Sequence, residues 1–265
     1  LVAPPEMQTA SASPTTTGDA LAQDPSIVPC AHASVPPSGY RDARLLKLTS
    51  GSTGLPKAVL TGERQLLADT DHIVTAMGIT PDDVQLAVIP LSHAYGFGNL
   101  VMPLLTQGSA MVLRESFVPQ AVLADARRHD AQVFHGVPFM FQHYVTHHAD
   151  EPWPASLRLL VSAGARLERT LVQAFHQRFG VKIHSFYGAS ECGGITYDGD
   201  EAVDDLAVVG RPLPGVQVDL RPDADVPEGY GRVFIRGDAV SPGYAGAEGE
   251  DELVLDGGFL AGDYG

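Results

Sequence analysis

The sequence predicts an α/β fold, a mainly parallel sheet with flanking helices, followed by a small β-rich subdomain. Short apolar runs of strand length alternate with helix-length amphipathic segments as far as Phe186. Beyond Asp205 the texture changes to short strands with Gly and Pro turns and no helical period between them. A chain of 265 residues with 44% hydrophobic and 18% charged side chains can bury a sizeable core of this kind.

Taken in order, residues 1–40 are rich in Pro, Ser, Thr and Ala and contain neither Lys nor Arg. The stretch "TASASPTTTGDA" has no apolar period, so this segment reads as irregular chain. Residues 41–209 form the predicted α/β subdomain. Two strand-like runs, Leu45–Leu48 and Ala58–Leu60, flank a loop of Gly, Ser and Thr. After Thr61, a helix places Leu66, Thr70, Ile73, Val74 and Met77 on one face, and Pro81 follows its end. Runs at Val84–Ile89, Ala110–Leu113, Gln132–Phe134, Leu157–Val161 and Val181–Phe186 are each compatible with a buried strand. Pro119 opens a helix carrying Val122, Leu123 and Ala126. Another carries Leu167, Leu171, Ala174, Phe175 and Phe179, and Gly180 stops it. Such alternation implies right-handed crossovers between parallel strands. The strands "VQVDL", "GRVFIRG" and "DELVLDGG" then make the β-rich subdomain over residues 210–265.

Bulk properties exclude some functions. A formal charge of −15, from 32 acidic and 17 basic side chains, argues against a general nucleic-acid binder. An anionic ligand would need local cations or a metal here. No apolar stretch is long enough to be a transmembrane segment. Two cysteines, Cys30 and Cys192, make no disulfide framework and fit a reducing compartment. The start lacks a basic-then-apolar signal pattern, so a cytoplasmic location is expected. The first residue is Leu1, which suggests a piece of a longer chain.

Ligands of open α/β sheets bind beyond the carboxyl ends of the strands, so the loops there carry the functional signal. Thr49-Ser50-Gly51-Ser52-Thr53-Gly54 precedes Lys57: glycines turn backbone N–H groups to one side, hydroxyls add donors, and the lysine adds charge. A flexible linker is the plainer reading, but linkers are seldom flanked on both sides by strand-like runs. The loop is not the common nucleotide P-loop, since Pro56 precedes Lys57 and Ala58 follows. Gly51 and Gly54 are also wrongly spaced for a dinucleotide fingerprint. Later strands are followed by "PLSHAYGFGN", "HGVPFMF", "SAGARL" and "YGASECGG". Alone, His93 reads as a hydrogen-bonded structural residue and Glu191 as a solvated carboxylate. A nucleophilic Ser190 or Cys192 lacks the hydrolase elbow G-x-S-x-G. The functional reading comes from all these loops sharing one rim.

Together these segments resemble the adenylate-forming superfamily of acyl-CoA synthetases, luciferases and peptide-synthetase adenylation domains. "LTSGSTGLPKAV" is similar to its phosphate-loop signature T-S-G-S-T-G-x-P-K-G, and "LSHAYGFG" to the segment bordering the acyl pocket. "SAGARL" resembles the adenine-side loop, "YGASE" resembles Y-G-x-T-E, and "VGRPLPGVQV" and "GRVFIRGDAVSPGY" resemble the strands that follow. "DGGFLAGDYG" resembles the ribose-binding G-W-x-x-T-G-D. The seven pieces keep the family's order from Leu45 to Gly265. Ala58, Ser190 and Ala261 depart from glycine, threonine and threonine, and only Ser190 keeps the hydroxyl. The family continues into a mobile C-terminal domain carrying a lysine for adenylation and part of the thiol site, so the resemblance implies a truncated chain.

The resemblance implies ATP and Mg²⁺ as cofactors, with CoA or another thiol as co-substrate. Carboxylate attack on the α-phosphorus would give an acyl-adenylate and pyrophosphate, a step that depends on positioning and charge neutralisation. Lys57, Ser190 and Glu191 are the catalytic candidates. Thr49, Ser50, Gly51, Ser52, Thr53, Gly54 and Lys57 would hold the β- and γ-phosphates, and Ser190 the α-phosphate. Glu191 would hold the metal, which prefers hard carboxylate oxygen. Tyr187 and Gly188 would lie at the adenine, with Gly164, Ala165 and Arg166 opposite, and Asp263 at the ribose. His93, Tyr95, Phe97, Gly98, Phe139 and Gly193 are expected at the carboxylic acid; core packing explains Phe139 and Met102 equally well. "LSHAYGFGNLVMPLL" has no carboxylate to pair a substrate ammonium, which favours a fatty or aryl acid. A catalytically inactive nucleotide- or acyl-binding module and an amino-acid adenylation fragment are the alternatives.

Overall fold

The computed structural model describes residues 42–49, 57–148, 151–203, 209–223, 226–245, 254–255 and 257–265. The irregular segment expected over residues 1–40 and the phosphate-loop residues Ser50, Gly51, Ser52, Thr53 and Gly54 lie outside them.

The first described element is an antiparallel hairpin of β1 (Ala43–Thr49) and β2 (Lys57–Gly62), in which Thr49 and Lys57 are Cα partners. Period-two alternation puts Leu46 and Leu48 outward, Leu48 with 71% exposure, and turns Lys47 inward. The apolar run expected here therefore does not bury all its leucines. Helix α1 (Glu63–Met77) follows and ends at Gly78, whose left-handed φ of 60° suits a residue without a Cβ.

Next come β3 (Val84–Ala87), a continuous helical stretch, and β4 (Ala110–Leu113). That stretch runs from α2 (Ala94–Gly96) through a π-helical turn (Phe97–Val101) into α3 (Met102–Gln107). The chain then alternates α4 (Pro119–Arg128), β5 (Val133–Gly136), α5 (Pro138–His147), β6 (Leu159–Ser162), α6 (Arg169–Phe179) and β7 (Ile183–Ala189). Helix α4 starts at the expected proline and buries Val122, Leu123 and Ala126, while α6 stops at Gly180 with φ 73°.

Strands β4-β3-β5-β6-β7 pair in parallel in that order. The sheet continues antiparallel through β8 (Gly193–Tyr197) and β9 (Arg211–Pro212). Strands β5, β6 and β7 each feed both faces. Phe134 and Leu160 join the core with Leu123, Phe141 and Phe175, while Val133 and Val161 join Ile73, Met77, Phe186 and Ile235. Burial on both faces is why these strands read as unbroken apolar runs.

A second, antiparallel sheet has the order β10-β11-β13-β12, from β10 (Gln217–Pro222), β11 (Gly231–Arg236), β12 (Val254–Leu255) and β13 (Gly258–Tyr264). Residues Asp42–Gly265 form one compact unit. A subdomain division near residue 210 is a proposal supported by the separate strand pairing of that second sheet.

Candidate active site

Strand order reverses after β4, and the segments leaving the carboxyl ends of β3, β6 and β7 line one cavity of about 250 Å³. His93, Tyr95 and Asn99 come from the segment after β3, and Gly164 from the loop after β6. Gly188 and Ser190 close it from the end of β7, and Gly193 from the start of β8. The wall is completed by Lys47 of β1 and by Asp69 and Ile73 of α1.

Two hydrogen bonds tie the motif segments together. The Tyr244 hydroxyl donates to Glu191 Oε1 at 2.7 Å. The same ring lies 5.4 Å from Lys57 Nζ, within cation–π range. Backbone contacts hold this arrangement: Leu60 N–H donates to Gly243 O at 2.9 Å, Ala245 N–H to Ala58 O at 2.7 Å, and Ser241 N–H to Glu191 O at 2.7 Å. The second bond is Tyr187 O–H to Asp263 Oδ2 at 2.6 Å, which joins β7 to β13. Burial, and then the adjoining Asp263 carboxylate, push the Tyr187 phenol above its ordinary range, so it stays a donor.

Thr49 sits opposite Lys57 across the hairpin and its hydroxyl donates to Lys57 O at 3.4 Å. His93 caps α2, its Nδ1 accepting from Tyr95 N–H at 3.3 Å, and is exposed at the cavity. Tyr95 donates to Val161 O at 3.2 Å, so its hydroxyl is already engaged by the sheet. Ala165 and Arg166 are exposed, and Arg166 faces Glu168 at 3.4 Å. Phe97 and Gly98 lie on the π-helical turn, where Gly98 is buried against α1. Phe139 is not brought to the cavity. It is 68% exposed on α5, beside Phe117 and His143. Cys192 is buried, and burial together with the nearby Glu191 raises its thiol well above the ordinary range, so it is no ready nucleophile.

Sequence reasoning missed three polar residues of this cavity. Asp69 is buried on the apolar stripe of α1, one turn before Ile73, and its Oδ1 accepts from Gly194 N–H at 2.8 Å. Burial raises its carboxyl, opposed by Lys47, the Gly194 N–H and His72. The aromatic segment has no carboxylate, as its sequence shows, but α1 brings one to the cavity. Lys47 and Asn99 are the other two. Two had a signal in the sequence: Lys47 shares a strand face with Thr49, and Asp69 stands four residues before the core Ile73.

Comparison with known proteins agrees with this fold. The chain is 30% identical over 237 residues to a feruloyl-CoA synthase of Amycolatopsis sp, covering 86% of this chain and 48% of that protein. It is 33% identical over 225 residues to the p-hydroxybenzoic acid–AMP ligase FadD22 of Mycobacterium tuberculosis, covering 80% of this chain and 32% of that one. ATP-bound MatB from Rhodopseudomonas palustris superposes with a TM-score of 0.76 at 26% identity, covering 86% of this chain and 46% of MatB. The chain thus spans half or less of the length of these relatives. The family model for AMP-binding enzymes matches residues 3–245, and this chain belongs to that family.

Proposed function

We propose that the chain is the nucleotide-binding part of an ATP-dependent acid–thiol ligase. It would activate a fatty or aryl carboxylic acid to an acyl-adenylate, then pass the acyl group to CoA or another thiol. The observation that carries this reading is that one tyrosine, Tyr244, takes Lys57 against its ring and Glu191 at its hydroxyl, where β2 leaves the phosphate loop. Lys57 would neutralise phosphate charge, and the Ser190 hydroxyl would donate to the α-phosphate as the substrate carboxylate attacks it. Pyrophosphate then leaves, and no covalent bond to protein is needed. Tyr187 would pack at the adenine, and Asp263 would accept from the ribose hydroxyls.

Glu191 suits a magnesium ion because Tyr244 occupies one carboxylate oxygen and orients the other. No group of three or more His, Cys, Asp or Glu that could hold a metal occurs among the described residues. A single carboxylate, with phosphate oxygens and water, is a common way to hold this ion. When bound, it would supply charge neutralisation at the phosphates. No helix among the described residues is long and apolar enough to cross a membrane. A cytoplasmic location remains our proposal from cysteine usage.

Asp69 favours a second reading, activation of an amino acid whose ammonium pairs that carboxylate. Lys47 on the same wall opposes it. Acid-dependent exchange of labelled pyrophosphate into ATP by the full-length protein tests both. Exchange with aryl or fatty acids supports the first reading, and exchange with amino acids alone supports the second. Mg·ATP binding without exchange under any acid would mean an inactive binding module, and no nucleotide binding would sink all three.

A further inference from the structure

We propose that this cavity reads a hydroxyl group on the carboxylic acid, remote from the reacting carboxyl, through Asn99, Asp69 and Lys47. The inference rests on the acid-activating reading above and narrows its substrate class. Asn99 is 1% exposed, lines the cavity, and its Nδ2 has no hydrogen-bond partner among the described residues. A buried amide donor left unmade is costly, so a ligand acceptor is the natural partner.

Asp69 lies against the same segment. A Cβ added at Gly98, the residue before Asn99, would sit 3.3 Å from Asp69 Oδ2. On the other side Gly193, with φ 69°, leaves room for Oδ1, which a Cβ there would overlap. Asp69 is 5% exposed and Lys47 is 9% exposed, and both line the cavity. The wall therefore offers one carboxylate acceptor, Asp69, and two donors, Asn99 and Lys47.

Charge decides among ligand groups. A substrate ammonium would meet Lys47, and a second substrate carboxylate would meet Asp69, each inside a low-dielectric pocket. A neutral hydroxyl is repelled by neither. It can donate to Asp69 and accept from Asn99 or Lys47, which matches the inventory of the wall. A phenol and an aliphatic alcohol share this chemistry.

The test is calorimetric binding to the 265-residue chain with AMP present, using 4-hydroxybenzoate against benzoate and 6-hydroxyhexanoate against hexanoate. The hydroxylated member of at least one pair should bind about 10- to 100-fold tighter, the scale of one buried polar partner. Which pair responds tells phenol from alcohol. Asn99→Leu, similar in volume, and Asp69→Asn should each bring that ratio toward one. Asn99→Leu should keep or raise the thermal midpoint, whereas a merely structural Asn99 would lower it. A wild-type ratio near one in both pairs overturns the inference and leaves acid activation standing. A ratio unmoved by both substitutions also overturns it. If none of the four acids binds, this inference and the acid-activating reading fall together.

Discussion

Replacing Tyr244 by Phe removes one oxygen from the point where the hairpin, Glu191 and the Ser241–Ala245 segment meet. The ring stays, so the Lys57 contact at 5.4 Å survives. The backbone should stay as well, because Leu60–Gly243, Ala58–Ala245 and the Ser241 Oγ bond to Leu60 O at 2.6 Å do not involve the hydroxyl. What goes is the 2.7 Å bond to Glu191 Oε1. A hydrogen bond to a charged group contributes about 1.5–3 kcal/mol. Glu191 is only partly buried, so water replaces some of this and the low end, about 1.5 kcal/mol, is expected. If that energy orients the carboxylate toward a metal, the Mg²⁺ concentration for half-maximal Mg·ATP binding should rise about tenfold, since 1.4 kcal/mol is a decade. The thermal midpoint should fall by roughly 3–6 °C for a unit of this size. Nucleotide titrations at graded Mg²⁺, with a melting curve for each variant, make the comparison. A lowered melting temperature with an unchanged Mg²⁺ requirement would refute the orienting role and leave Tyr244 a structural residue.

Other outcomes follow from the same geometry. Glu191→Gln keeps an acceptor for Tyr244 but loses the charge, so Mg²⁺-dependent ATP turnover in the full-length protein should fall far more than its melting temperature. Turnover and Mg²⁺ dependence equal to wild type would count against the metal role. Gly193→Ala meets both a left-handed φ of 69° and the buried Asp69 carboxylate, and should cost about 3 kcal/mol, roughly 6–12 °C of melting temperature. Adding Asp69→Ala should return part of that loss, and calorimetry of the single and double variants would detect it. Buried His135, whose Nε2 lies 3.0 Å from Gln85 Oε1, is pushed down from 6.5 to about 3 by burial. The unfolded chain takes up a proton below 6.5 while the folded chain resists until about 3. Its contribution is therefore complete above 6.5 and declines as pH falls through that window, by up to about 1.4 kcal/mol per pH unit. Urea midpoints should show a shallower acid decline for His135→Gln, and parallel declines would contradict this.

Much of the fold was legible because its signals are local. Pro119 and Gly180 mark helix ends through their own backbone chemistry, and the central parallel strands are apolar runs because both faces are covered. The site's outline was legible for a similar reason: loops leaving parallel strands must emerge at one rim, so His93, Gly164 and Ser190 could be placed together before any coordinates. Strand β8 was hidden because Gly193 and Gly194 read as a turn, and helices α3 and α5 because their sequences read as loops after strands. Partners distant in sequence were beyond local reading. Asp69 meets Gly194 across 125 residues, Tyr187 meets Asp263 across 76, and Tyr244 meets Glu191 across 53. Composition and period determine which residues a strand or helix must bury. Only the packed chain decides what a buried Lys47, Asp69 or Asn99 faces, because a polar group's meaning depends on the partner that replaces its water.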